Sequence, residues 1–120
     1  MPTIAPPVAS VLPFAVLVYR EEVDDVGPVW FASSIFTGHT THGDSPEDAI
    51  EAIGRTFEAA LELAADRGDG PGEWFARQRP CERERVEEFR RLAAGRARAV
   101  PRPCARLGCT LALHVVVRGA

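Results

Sequence analysis

Between Gly38 and Leu63 the chain reads GHTTHGDSPEDAIEAIGRTFEAALEL, and this stretch leaves the fold little latitude. It joins a small-residue strand end, a Gly-Asp turn and a strongly marked helix start. Ser45 is placed as an N-cap, because its hydroxyl can accept a hydrogen bond from an orphan backbone N–H of the first turn. Pro46 follows at the first helical position, where its missing N–H costs nothing and its fixed φ suits the helix. Glu47 and Asp48 then put negative charge near the positive end of the helix dipole. Ile50, Ile53, Phe57, Leu61 and Ala64 repeat at three- and four-residue spacing, which gives the helix one apolar face. A strand, a tight turn and a capped amphipathic helix follow in that order.

Two strands are expected upstream. Phe14–Tyr19, FAVLVY, is a continuous apolar run rich in β-formers and reads as a central strand. REEVDDVGP marks a hairpin, Val29–Ile35 forms its antiparallel return, and a short third strand lies around His39–His42. Downstream, Asp66 to Gly72 is rich in helix breakers and ends the main helix near Gly68. Gly54, inside that helix, costs about 1 kcal/mol relative to alanine and suggests close packing. Trp74 and Phe75 open a short turn of helix. Glu82–Ala94 is a second amphipathic helix with Val86, Phe89, Leu92 and Ala93 on one side, stopped at Gly95. Arg96–Gly108 is arginine- and proline-rich and is expected to be irregular. Cys109–Val117 alternates as a strand. The fold class expected is α+β in two layers: a mostly antiparallel sheet of about four strands, βββα…β, with one main helix packed on it. Residues 1–120 make one domain, with 1–10 a flexible tail and 70–97 a helical insertion capping an edge or the open face.

The segment Gly43, Asp44, Ser45, Pro46, Glu47, Asp48, Ala49, with Gly38 ahead of it, resembles the helix-opening pattern of the HicB antitoxin domain. His39 stands where that family usually has cysteine, and Ser34, Ile35, Phe36 and Thr37 replace its proline-rich entry to the third strand. The resemblance covers Phe14–Arg67 and, more loosely, Val100–Val117. It implies a truncated RNase H-like fold and a non-catalytic protein that binds a small basic RNA-cleaving toxin and masks its active site. The chain ends directly after the last strand, so the DNA-binding segment common in that family is not expected, and nucleic acid is not an expected partner.

Charge distribution gives the resemblance a physical counterpart. Residues 1–76 carry thirteen acids and three arginines, whereas residues 77–120 carry eleven arginines and four acids. The two halves either neutralise each other across the fold or form a two-faced surface that steers a charged partner. Glu21, Glu22, Asp24, Asp25, Asp44, Glu47 and Asp48 are the candidate partner-binding residues. The alternative is a homo-oligomeric scaffold or adaptor, a dimer, that has kept the fold without a toxin. Val115, Val116 and Val117 are the candidate strand edge for such pairing.

Other chemistry finds little foothold. RNase H-type enzymes need carboxylates clustered on the sheet to hold metal ions, and FAVLVY offers none in its interior. His39 and His42 are expected on opposite faces, and with His114 they read as hydrogen-bonded structural histidines. Cys81, Cys104 and Cys109 lack the paired short spacings of a zinc site and do not form a disulfide framework, so they read as buried or idle thiols. GDGPG at Gly68–Gly72 lacks the lysine and preceding strand of a phosphate loop. No catalytic residue, metal or cofactor is therefore expected. With no ~20-residue apolar run and no charged start to the N-terminus, neither a membrane span nor a signal peptide is expected, which makes the cytoplasm the expected location.

Overall fold

Continuous apolar character in FAVLVY means burial on both faces, and that is where the strand lies. In the computed structural model, which describes residues 10–119, β1 (Ser10–Val23) occupies the middle of a five-stranded sheet of order β3-β2-β1-β5-β4. β2 (Gly27–Ser34) and β3 (Thr40–Gly43) run antiparallel on one side. On the other side β5 (Cys109–Val117) pairs parallel to β1, and β4 (Arg98–Cys104) pairs antiparallel to β5. The tail expected at 1–10 lies outside the described residues except for Ser10, which belongs to β1.

Helix α1 (Pro46–Asp66) begins as its sequence requires. The Ser45 side chain accepts from the backbone N–H of Asp48 at 3.1 Å, and Pro46 is the first helical residue. Gly43 is needed for close approach, since a Cβ there would lie 2.7 Å from Cβ of Asp48 and 2.8 Å from N of Ala49. Gly38 has φ +75°, and a Cβ there would lie 2.9 Å from the carbonyl oxygen of Arg79, so both glycines of the motif have a steric reason. The apolar face of α1 packs Ile50, Ile53, Phe57 and Leu61 against Phe14, Val16, Val18, Leu111, Leu113 and Val115 of the sheet. Phe14 and Phe57 stack at 3.9 Å between centroids. Short helix α2 (Pro71–Ala76) adds Trp74 to the same core.

The chain then crosses to the other face. N–H of Cys81 donates to the carbonyl of Ile35 at 2.8 Å, and its thiol donates to the carbonyl of Ser34. These bonds fasten the segment before α3 (Arg83–Ala93) to the β2–β3 connection. α3 covers a second, smaller core of Leu17, Tyr19, Ile35, Phe89 and Val116. The segment expected as a helical insertion thus supplies α2 and α3, and α3 adds a partial third layer over the open face. The α+β class and the mostly antiparallel sheet are as expected.

Two expectations are corrected. Arg96–Gly108 is not irregular: it holds β4 and a 3-10 turn at Ala105–Leu107. Pro101 and Pro103 escape the usual penalty because they alternate. In an antiparallel ladder every second residue points its N–H away from the partner strand, and β4 is an edge strand, so both prolines lack only a donor that would face outward. The second correction concerns Val115, Val116 and Val117, which do not form a free edge. β5 lies between β1 and β4, with Val115 paired to both Val16 and Arg98, and Val115 and Val116 are each 1% exposed. The sheet ends instead at β3 and β4.

Candidate functional site

Part of the charge asymmetry in the sequence is neutralised along one seam, where four acids of α1 meet three arginines. Glu47, Glu51, Glu58 and Glu62 form a stripe along α1 beside its apolar face, because their spacing returns to nearly the same angle of the helix. β4 and the turn after it run alongside and present Arg98, Arg102 and Arg106. Arg98 reaches Glu47 at 4.0 Å and Arg106 reaches Glu62 at 3.7 Å. Arg102 lies between two partners, donating from Nε to Glu58 at 2.7 Å and from Nη1 to Glu51 at 2.9 Å. Its guanidinium crosses the helix at Gly54, where an added Cβ would meet Arg102 Cδ at 2.8 Å. The hydrogen bond to Glu58 holds the Arg102 guanidinium still further above its ordinary range, with Glu51 assisting and partial burial opposing. This seam was not read from the sequence. Its signal was present in a glycine inside a row of glutamates, facing arginines spaced to share one side of a strand.

The acidic residues expected to bind a partner gather at one end of the sheet. β3 reaches only as far as Trp30 opposite Gly43, and β5 only as far as Val117 opposite Val18. Beyond these points β1 and β2 continue as a two-stranded ribbon, pairing Glu21 with Val29, Glu22 with Pro28 and Val23 with Gly27. Asp24 and Asp25 form its turn, with Asp25 at φ +66° and Val26 70% exposed. Asp44, Glu47 and Asp48 sit at the β3–α1 junction, beside the base of the ribbon next to Trp30. Among the described residues Glu21, Glu22, Asp24, Asp25, Asp44 and Asp48 make no ion pair, while Glu47 meets Arg98 at the limit of contact. Glu47 and Asp48 also serve the helix dipole. Arg20 is the one basic residue within the ribbon strands. At the base of the ribbon Arg118 forms a two-point ion pair with Glu88 of α3, and Arg85 and Arg118 place their guanidiniums 4.5 and 4.8 Å from the Tyr19 ring. These contacts tie α3 to the foot of the ribbon and leave its tip clear.

The histidines do not converge. His39 stacks on Trp74 and meets Phe57 edge-on, on the α1 side of the sheet, whereas His42 faces Phe31 on the α3 side. Thr37 donates its hydroxyl proton to Ser34 at 2.6 Å, so His39 Nδ1–H must be the donor in its 2.8 Å bond to Thr37. Burial lowers the His39 pKa below the usual histidine value and so favours the neutral ring. His114 is exposed beside Pro13, Ala15, Phe36 and Phe89. Among the described residues no group of three His, Cys, Asp or Glu side chains is arranged to hold a metal ion, and no helix is long and apolar enough to cross a membrane. No known protein-family model matches the chain, and no curated protein or solved structure shows significant similarity to it.

Proposed function

We propose that this chain is a HicB-like, antitoxin-type binding module that covers a small basic RNA-cleaving protein with the acidic end of its sheet. One observation carries the reading. The seam between α1 and β4 occupies Glu51, Glu58 and Glu62 with arginines, while the ribbon and the β3–α1 corner keep carboxylates with no basic partner. Unpaired surface carboxylates repel one another modestly, and a cationic partner turns that repulsion into attraction and a faster encounter. The order of three strands, capped helix and returning strand is also the order that the resemblance implies, with Gly38 and Gly43 at tight approaches. The role is binding: the ribbon presents charge and shape, not a nucleophile with its base.

The test is capture of a partner from native lysate by the tagged chain, washed at low and high salt, beside a Glu22→Lys/Asp24→Lys variant. Asp25 is spared because its positive φ makes substitution ambiguous. A small basic protein held at low salt, released at high salt and lost from the variant is the expected result. Capture that is indifferent to both salt and the variant would remove the ribbon from the interface.

A second reading, the self-associating scaffold, draws on a different surface. α3 covers only part of its face of the sheet, leaving Pro13, Ala15 and His114 beside Phe36, which is 47% exposed. A dimer built there would be weakened by Ala15→Glu and unaffected by the ribbon variant, as read from molar mass in solution.

A further inference from the structure

Cys104 and Cys109 close the hairpin between β4 and β5 as direct register partners. Both residues are 5% exposed and belong to the core under α1. The alternation that lets Pro101 and Pro103 sit in β4 makes Cys104–Cys109 a hydrogen-bonded pair. In such a pair the Cα atoms stand about 5.5 Å apart, within the roughly 4.4–6.8 Å that a disulfide spans. The Ala105–Gly108 connection is already closed by Gly108 in the left-handed region, φ +62°. The Cβ atoms of such a pair stand at the wide end of the cross-strand range, about 5.5 Å, against the roughly 3.5–4.5 Å of a disulfide, so joining the two free thiols draws the strand ends together by about 1 Å.

We propose that Cys104 and Cys109 form an intramolecular disulfide when the chain folds in the presence of a low-molecular-weight disulfide, and that this bond braces β4 against β5. The step is two thiol–disulfide exchanges. One cysteine thiolate attacks a sulfur of oxidised glutathione, forming a mixed disulfide and expelling one glutathione thiolate. The second cysteine attacks the protein sulfur of that mixed disulfide and expels the other. Two cysteine thiols are oxidised, one glutathione disulfide is reduced to two thiols, and the two cysteine protons end on the leaving groups. Burial raises the Cys109 thiol above its ordinary range, which makes thiolate scarce in the folded chain. The bond therefore forms while the hairpin is open, and once buried it is shielded from reductants. Cys81 stands apart: it is partly exposed and donates to the carbonyl of Ser34.

The full chain, unfolded and reduced, is refolded across a series of reduced-to-oxidised glutathione ratios, alkylated and weighed. The expected product at oxidising ratios is lighter by two hydrogens and alkylated only at Cys81, with a thermal midpoint about 5–10 °C above the reduced form. Cys81→Ser is expected to behave the same way, and Cys104→Ser to show one midpoint in every buffer. Three alkylated cysteines at ratios that convert a model dithiol, or a bond containing Cys81, would overturn the proposal. A bond between Cys104 and Cys109 without a rise in midpoint would overturn its bracing role.

Discussion

The seam between α1 and β4 and the ribbon of β1 and β2 are both built from charged residues, yet they end in opposite electrostatic states. In the seam each acid of the helix stripe finds an arginine, and Arg102 is 21% exposed while gripping Glu58 at 27%. In the ribbon four carboxylates stand within five residues and face water. A partly buried, two-partner ion pair can hold an edge strand onto a helix, whereas isolated surface charges add almost nothing to stability and remain available for binding. The comparison separates charge that maintains the fold from charge that is free for a partner.

The largest way to break the contrast is Arg102→Ala, which leaves Glu51 and Glu58 facing each other across Gly54. A loss of about 1–3 kcal/mol is expected from urea unfolding, mostly through Glu58, since Glu51 is 55% exposed and screened. Gly54→Ala sharpens the point through a double-mutant cycle. Alone it forces Arg102 aside and gains nothing, whereas on the Arg102→Ala background the recovered helix propensity stabilises by up to about 1 kcal/mol. Additive effects in that cycle would mean that glycine and arginine are not coupled.

Acid should weaken the α1 side first, through His39. Its folded pKa lies below the ordinary value of 6.5, so its contribution is complete above that value and is lost as pH falls through the folded pKa, the unfolded chain binding the proton more readily. His39→Asn should flatten this slope in midpoints measured across the range, and an unchanged slope would assign it to the carboxylates. The smallest stability effect belongs to the ribbon. Glu22→Lys/Asp24→Lys should move the unfolding midpoint by no more than about 0.5 kcal/mol, even while it abolishes partner capture. A large loss of stability there would erase the distinction between the two regions.

Local signals carried much of the fold. The FAVLVY run announced a central strand, and Ser45-Pro46-Glu47-Asp48 announced a helix start that the structure realises with a bond from Asp48 to Ser45. The alternation of Cys109–Val117 announced a strand, though not its place, since period-2 patterning looks alike at an edge and in the interior. β4 was hidden because Arg and Pro are poor strand formers, and only its position as an edge beside β5 makes two prolines harmless. The candidate acids were legible as a cluster in sequence. That six of them stay unpaired while the helix glutamates are consumed was not, because pairing depends on which strand lies along α1.

The sequence by itself determined the elements whose cause is local: caps, breakers, apolar stripes and the turn at Asp24–Asp25, all set by contacts within a few residues. Tertiary structure alone decided that α3 crosses to the second face, that β5 is inserted between β1 and β4, and that Arg102 rests on Gly54. Each of these depends on a contact between residues forty or more positions apart, α3 on β1, β5 on β1 and Arg102 on Gly54, where no periodicity reaches. Packing the apolar faces selects the register, and the register then dictates which charges meet.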